Sequence, residues 1–179
     1  MGTVDFFLDI ETLGTKPGAA ILEIGAFCQG ETFDFLIDPN SHEGKADLKT
    51  LYWWATEPNI LAKKHVFCDL AKRWELSKAL QELAGIIEHY NPTHFWGCAP
   101  DFDYGHLAFW FERYGLEIPW RYYQLRDVRT VRDFLTQGEL ESLVGIETIP
   151  HIAKADACHE AVIVQEVRRR FRPNSELEK

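Results

Sequence analysis

Through residue 37 the chain is patterned for strands, and beyond it mostly for helices. Residues 4–8 predict a central strand, because Phe6-Phe7-Leu8 runs without a polar break, as in a strand covered on both faces. Residues 19–27 predict a second strand with Glu23 embedded in it, and residues 32–37 alternate as a third. Gly14 and Pro17-Gly18 mark the loop between the first two, and Gln29-Gly30-Glu31 the hairpin between the next two. The chain therefore opens as an antiparallel meander. Asp38-Pro39-Asn40 ends it.

Residues 47–55 and 58–65 read as short helices carrying the pair Trp53-Trp54. Neighbours on a helix point about 100° apart, so one indole packs inside while the other lines a groove or a partner surface. Residues 74–90 form an amphipathic helix, with Leu76, Leu80, Leu83, Ile86 and Ile87 at helical spacing, closed by Asn91-Pro92. His94-Phe95-Trp96-Gly97 reads as a short buried strand of the parallel kind. A helix from Pro100-Asp101 through Tyr114, a strand at 122–125, a helix at 127–135 and a polar loop or lid at 138–149 follow. Residues 153–171 make the longest helix, ending in Arg168-Arg169-Arg170-Phe171-Arg172, where the basic run complements the helix dipole. The order predicts an α/β fold, a mixed sheet with helices packed on it.

The length of 179 residues suits a single domain over residues 1–179, with a core large enough to need no staples. An apolar content of 46% and an aromatic content of 13% exclude a disordered chain. No apolar run reaches membrane-spanning length and no signal-peptide pattern opens the chain, so a cytoplasmic protein without a membrane partner is expected. Cys28, Cys68, Cys98 and Cys158 are scattered and read as reduced, mostly buried thiols. A net charge of -9 argues against coating nucleic acid by bulk electrostatics. It leaves room for an enzyme that grips a strand end through a metal and a few placed cations.

Candidate chemistry starts at the end of the first strand. Asp9 and Glu11 are two apart, so in extended backbone they share a face. Paired buried carboxylates repel one another, and a hard cation such as Mg²⁺ or Mn²⁺ between them removes the repulsion. Asp101 and Asp103 open the helix after the Trp-Gly strand, about 200° apart, so only one can face a site at the strand end. Asp101 follows Pro100 where an N-cap would stand, which makes Asp103 the better metal candidate of the two by a slight margin. His151 precedes Asp156 by five residues, about 140° apart in regular helix. If His151 lies in the entering loop it can fold back over the turn that carries Asp156, as a general base for water. His159 and Glu160 read as solvated helix-face residues.

In this order, Asp9-Ile10-Glu11, Phe102-Asp103 and His151 with Asp156 resemble the three acidic motifs of the DEDDh family of 3'-to-5' exonucleases, which have a ribonuclease H-like fold. Thr50-Leu51-Tyr52-Trp53-Trp54, the Trp96-Gly97 strand and Arg126-Asp127-Val128-Arg129-Thr130 extend the likeness to small phage and bacterial members, over roughly residues 4 to 168. Cys98-Ala99 departs from the small polar residues and glycine usual there. The resemblance implies a mixed five-stranded sheet flanked by helices and an enzyme that uses two Mg²⁺ or Mn²⁺ ions. It makes Asp9 the bridge between the ions, Glu11 and Asp156 ligands on the nucleophile side, Asp103 a ligand of the second ion, and His151 the base. The substrate implied is a nucleic acid with a free 3' end, released as 5'-nucleoside monophosphates. Thr12, Leu13 and Phe102 are then substrate contacts, the leucine as a wedge beneath the terminal base. Arg129 is either a phosphate contact or the partner of Asp127. A catalytically idle ribonuclease H-like binding module is the competing reading, opposed by the crowding of the carboxylates. Nothing in the sequence chooses between DNA and RNA, and the exposed aromatics are compatible with a homodimer.

Overall fold

A computed structural model of the chain describes residues 2–68, 73–143 and 149–171. Five strands, β1 (Asp5–Thr12), β2 (Ile21–Cys28), β3 (Glu31–Leu36), β4 (His94–Gly97) and β5 (Leu125–Asp127), form one sheet in the order β3-β2-β1-β4-β5. The pairs β1–β2 and β2–β3 are antiparallel, and β1–β4 and β4–β5 are parallel. This is the mixed five-stranded sheet expected. Helices α1 (Leu48–Thr56), α2 (Ile60–Cys68), α3 (Leu76–Tyr90), α4 (Pro100–Arg113), α5 (Val128–Arg132), α6 (Gln137–Leu143) and α7 (Ala153–Phe171) surround it.

The pleat of β1 divides the molecule. Phe6, Leu8 and Ile10 enter a core with Leu80 and Leu83 of α3 and Leu107 and Phe111 of α4. Phe7, on the other face, packs with Trp96, Val128 and Ala157, Ala161 and Val164 of α7. Asp5, Asp9 and Glu11 share that second face, so α7 lies over the acidic side of the strand. At the far end of β1 the guanidinium of Arg168 forks onto the Asp5 carboxylate and stacks over Trp96, 5.5 Å from its centroid. Arg169 and Arg170 pair with Glu166 within α7, and Arg170 also with Glu139, which ties α7 to α6. Arg172 lies outside the described residues.

One glycine decides how closely α7 approaches. A Cβ on Gly25 would sit 2.0 Å from the backbone nitrogen of Lys154 and 2.1 Å from the carbonyl carbon of Ala153. Gly25 is the cross-strand partner of Asp9, so this contact brings the first turn of α7 onto the sheet beside that acid.

Several boundaries differ from the pattern, each for a local reason. Ala19 and Ala20 bridge to Lys45 outside the sheet, so β2 starts at Ile21, with a register shift between Glu11 and Thr12 opposite. Trp74 forms a bridge to Ile37 in place of a helical turn, and α3 starts at Leu76. The Gln124 side chain accepts from the Arg121 amide at 2.7 Å and folds residues 122–124 into a 3₁₀ turn, which leaves the strand to Leu125–Asp127. The predicted lid begins as helix α6, because Thr136 and Glu139 form a capping box: Glu139 Oε2 accepts from the Thr136 amide at 2.7 Å, and Thr136 Oγ1 from the Glu139 amide at 3.4 Å. Residues 144–148 of that stretch lie outside the described residues. Asp101 is exposed and makes no cap; the N-cap of α4 is Ala99, in the left-handed region at φ 86°.

Candidate active site

Strand β1, the first turn of α4 and the first turns of α7 converge on one cleft of about 1020 Å³. Asp9, Glu11, Phe102, Asp103, His151 and Asp156 all line it, so six of the residues singled out in the sequence are brought together. One carboxylate oxygen each from Asp9, Glu11 and Asp156 lies within 4.8 Å of the others. Asp103 reaches the same floor from α4. It is 2% exposed, and its Oδ2 has no hydrogen-bond partner.

The electrostatics are those of a site short of positive charge. Burial, then the charges of Asp103 and Glu11, push the Asp9 carboxyl well above the usual carboxylate range. Burial, with Glu23 opposite and Asp156 nearby, pushes Glu11 up to about 9. Burial likewise raises Asp103 well above its usual value, against the pull of its own amide and that of Ile10. Asp156 rises to about 6 by burial, opposed by the His151 amide that donates to its Oδ2 at 2.8 Å. No lysine or arginine is ion-paired with any of these four among the described residues. The donors are all hard carboxylate oxygens, and Asp103 Oδ2 is buried without a partner. That set fits Mg²⁺ or Mn²⁺, and a soft metal poorly.

His151 does lie in the entering loop, as the folding-back geometry requires. Its φ of +67° turns the chain so that its amide reaches Asp156. The ring packs edge-on against Trp53 at 4.8 Å, and Nε2 stands 3.8 Å from Glu57 Oε2. Asn59 ties the same loop down: its side-chain amide donates to the Pro150 carbonyl at 2.9 Å, while its Oδ1 caps α2 through the amides of Leu61 and Ala62. The tryptophan pair divides as expected. Trp54 is buried and donates to the Thr12 carbonyl at 3.0 Å, and Trp53 is exposed, edge-on to the His151 ring.

The family model for the Rv2179c-like 3'-5' exoribonuclease domain matches residues 4–168. The chain belongs to that family. Among solved structures, one described as the nuclease domain of 3'hExo, a DEDDh family member bound to rAMP, superposes with a TM-score of 0.62 over 95% of this chain and 92% of that one. Identity is 12%, so this likeness speaks for the fold. No curated protein matches the chain. The described helices include none long and apolar enough to cross a membrane.

Within this DEDDh exonuclease fold the remaining expected contacts fall in different places. Thr12 is buried, donates to the Gly14 carbonyl at 2.7 Å and lines a second hollow of about 450 Å³ with Lys49, Thr50, Trp53, Trp54 and Phe102. That hollow adjoins the acidic cleft through Ile10, Glu11 and Phe102. Leu13 is half-buried against Leu22, Trp54 and Val66, at the edge of the hollow's packing and outside its lining. Arg129 is held on Asp127 by contacts of 2.6 to 3.0 Å, and the arginine that lines the cleft is Arg132.

Glu160 is the correction of most consequence. It was expected to be solvated, but it is 5% exposed, its Oε2 has no partner, and it lines the cleft beside Asp103. Burial and Asp103 together push its carboxyl well above the usual range. The signal was available: Glu160 follows Asp156 by four residues, one helical turn, and so shares its face. His159 also lines the cleft and is half-buried, which lowers its pKa. Cys28, Cys98 and Cys158 are free thiols, the first buried and the other two half-buried, where mostly buried ones were expected; the side chain of Cys68 lies outside the described residues.

Proposed function

We propose that the protein is an active 3'-5' exoribonuclease that binds two divalent cations and releases 5'-nucleoside monophosphates. The observation that carries this reading is the convergence of Asp9, Glu11, Asp103 and Asp156 with no lysine or arginine paired to them among the described residues. Such a set destabilises the fold unless a cation answers it, which also argues against an idle binding module. Asp9 belongs both to the cluster with Glu11 and Asp156 and to the pair with Asp103, so it is the residue able to serve two ions at once. When bound, the ions stabilise the attacking and the leaving oxygen of an in-line displacement.

The chain's own residues supply the rest. His151 accepts the proton of the attacking water at a ring nitrogen, held at the cleft by Trp53 and by the Asn59 grip on its loop. The hollow under Trp53 and Phe102 offers an apolar surface for a terminal base, with Thr12 and Thr50 as hydroxyl groups. RNA is favoured as substrate by the family to which the chain belongs.

Two tests follow. End-labelled RNA and DNA of one sequence are incubated with Mn²⁺ or Mg²⁺; we expect mononucleotides from the 3' end, faster from RNA, and none in chelator. Faster release from DNA would overturn the RNA assignment and leave the exonuclease reading standing. His151→Ala is expected to lower turnover about 10²- to 10⁴-fold while Mn²⁺ binding holds. Unchanged turnover would remove His151 from the reaction.

A further inference from the structure

One strand over from the catalytic acids lies a second cluster, which the proposed nuclease chemistry leaves unused. Glu23 is the cross-strand partner of Glu11 on β2, Asp34 lies on β3, and His65 projects from α2. One ligand atom from each lies within 4.8 Å of the other two. His65 Nε2 is 3.3 Å from Glu23 Oε1 and 3.9 Å from Asp34 Oδ2.

Proximity of acids alone would mean little, but two of the polar atoms here are unsatisfied. Glu23 is fully buried, and its Oε2 and Asp34 Oδ1 are shielded from solvent with no hydrogen-bond partner, while the shielded His65 Nε2 is answered by the Glu23 carboxylate. Orphaned buried acceptors are costly, so a fold keeps two beside an imidazole most readily where something binds them. Lys154 answers part of the charge, its partly exposed Nζ 2.7 Å from Asp34 Oδ2, and leaves Asp34 Oδ1 and Glu23 Oε2 unanswered.

We propose that Glu23, Asp34 and His65 form a zinc site distinct from the acidic cleft. Two carboxylates balance the charge of one Zn²⁺, and the imidazole supplies the nitrogen donor that the cluster of Asp9, Glu11 and Asp156 lacks. The difference in donors sorts the metals: Zn²⁺ goes to the imidazole site, Mg²⁺ to the carboxylates. Bound there, zinc staples α2 to β2 and β3. It also fixes Glu23, whose Oε1 accepts from the Lys154 amide at 3.3 Å at the start of α7. The proposal does not depend on the exonuclease reading.

The full chain is stripped with chelator, dialysed against Zn²⁺ in excess Mg²⁺, and its metal content and melting temperature are measured. We expect a single equivalent of zinc, an X-ray absorption spectrum with one imidazole in the zinc shell, and a raised melting temperature. Asp9→Asn should retain the zinc, and His65→Gln should lose both the zinc and the rise in melting temperature. Should His65→Gln fail to fold, Asp34→Asn on the outer strand reads the same loss. Absence of retained zinc, a zinc shell without imidazole, or zinc lost in Asp9→Asn and kept in His65→Gln would each overturn the proposal.

Discussion

Asp9→Asn is expected to melt higher than the parent chain in chelator, and to cleave nothing when metal is supplied. The first half follows from the direction of the pKa shifts. Asp9, Glu11, Asp103 and Asp156 all hold their protons more tightly folded than unfolded, Glu11 up to about 9 and Asp156 up to about 6. Between the ordinary carboxylate range and those raised values the folded state binds more protons, so its stability falls as pH rises. The metal-free parent should therefore lose melting temperature steadily from pH 5 towards pH 9. Removing one charge from the middle of the cluster should return at least about 1 kcal/mol at pH 8, about 2–4 °C for a chain of this size. Mg²⁺ or Mn²⁺ should raise the parent's melting temperature more than the variant's, and more at pH 8 than at pH 5. The second half is the loss of several kcal/mol of charge stabilisation, about 10³-fold or more in rate. A variant that melts below the parent in chelator at pH 8 would show that the cluster is not under repulsive load.

Gly25→Ala should damage both fold and site. The added methyl meets backbone, at 2.0 Å from the Lys154 nitrogen and 2.5 Å from the Ala153 oxygen, with no flexible side chain to yield. Overpacking against backbone costs about 3 kcal/mol, or about 6–12 °C in melting temperature. Relief comes by lifting the first turn of α7, which carries Asp156 away from Asp9 and Glu11. Turnover at a temperature where the variant is still folded should therefore fall with Mn²⁺ affinity. An alanine variant with the parent's melting temperature and turnover would refute the close approach.

How much of this could be read from the residues depended on how local the cause was. Asp9 and Glu11 were legible because a strand's two-residue period needs no partner to be known, and the Phe6-Phe7-Leu8 run already marked the strand as buried. The Trp53-Trp54 division was legible for a similar reason, since two adjacent indoles cannot face one core. Asp103 over Asp101 was reached for a wrong reason: Asp101 does not cap α4, but its exposure leaves the same choice. Glu160 escaped because its burial depends on how α7 docks on the sheet, although the four-residue step from Asp156 was in plain view. The capping box at Thr136 and Glu139 was equally visible, and a composition of polar residues hid it. Arg129 shows a different limit. Two partners were open to it, and only the geometry of the Asp127 turn selected one. The strand at 125–127 needed pairing with β4 to exist at all.

The two fastenings of α7 divide the labour of the cleft walls. Arg168 clamps the helix to Asp5 at one end of β1, and the Gly25 contact seats its first turn at the other. Helix and strand together behave as a fixed jaw, and the spacing of the acids it carries is set before any substrate arrives. The opposite jaw is built from side chains alone, gripping the His151 loop through the Trp53 edge, the Glu57 carboxylate and the Asn59 amide. On the proposed exonuclease reading, adaptation to bases of different size is expected of the arm that bears Trp53, with the spacing of the acids constant from one nucleotide to the next.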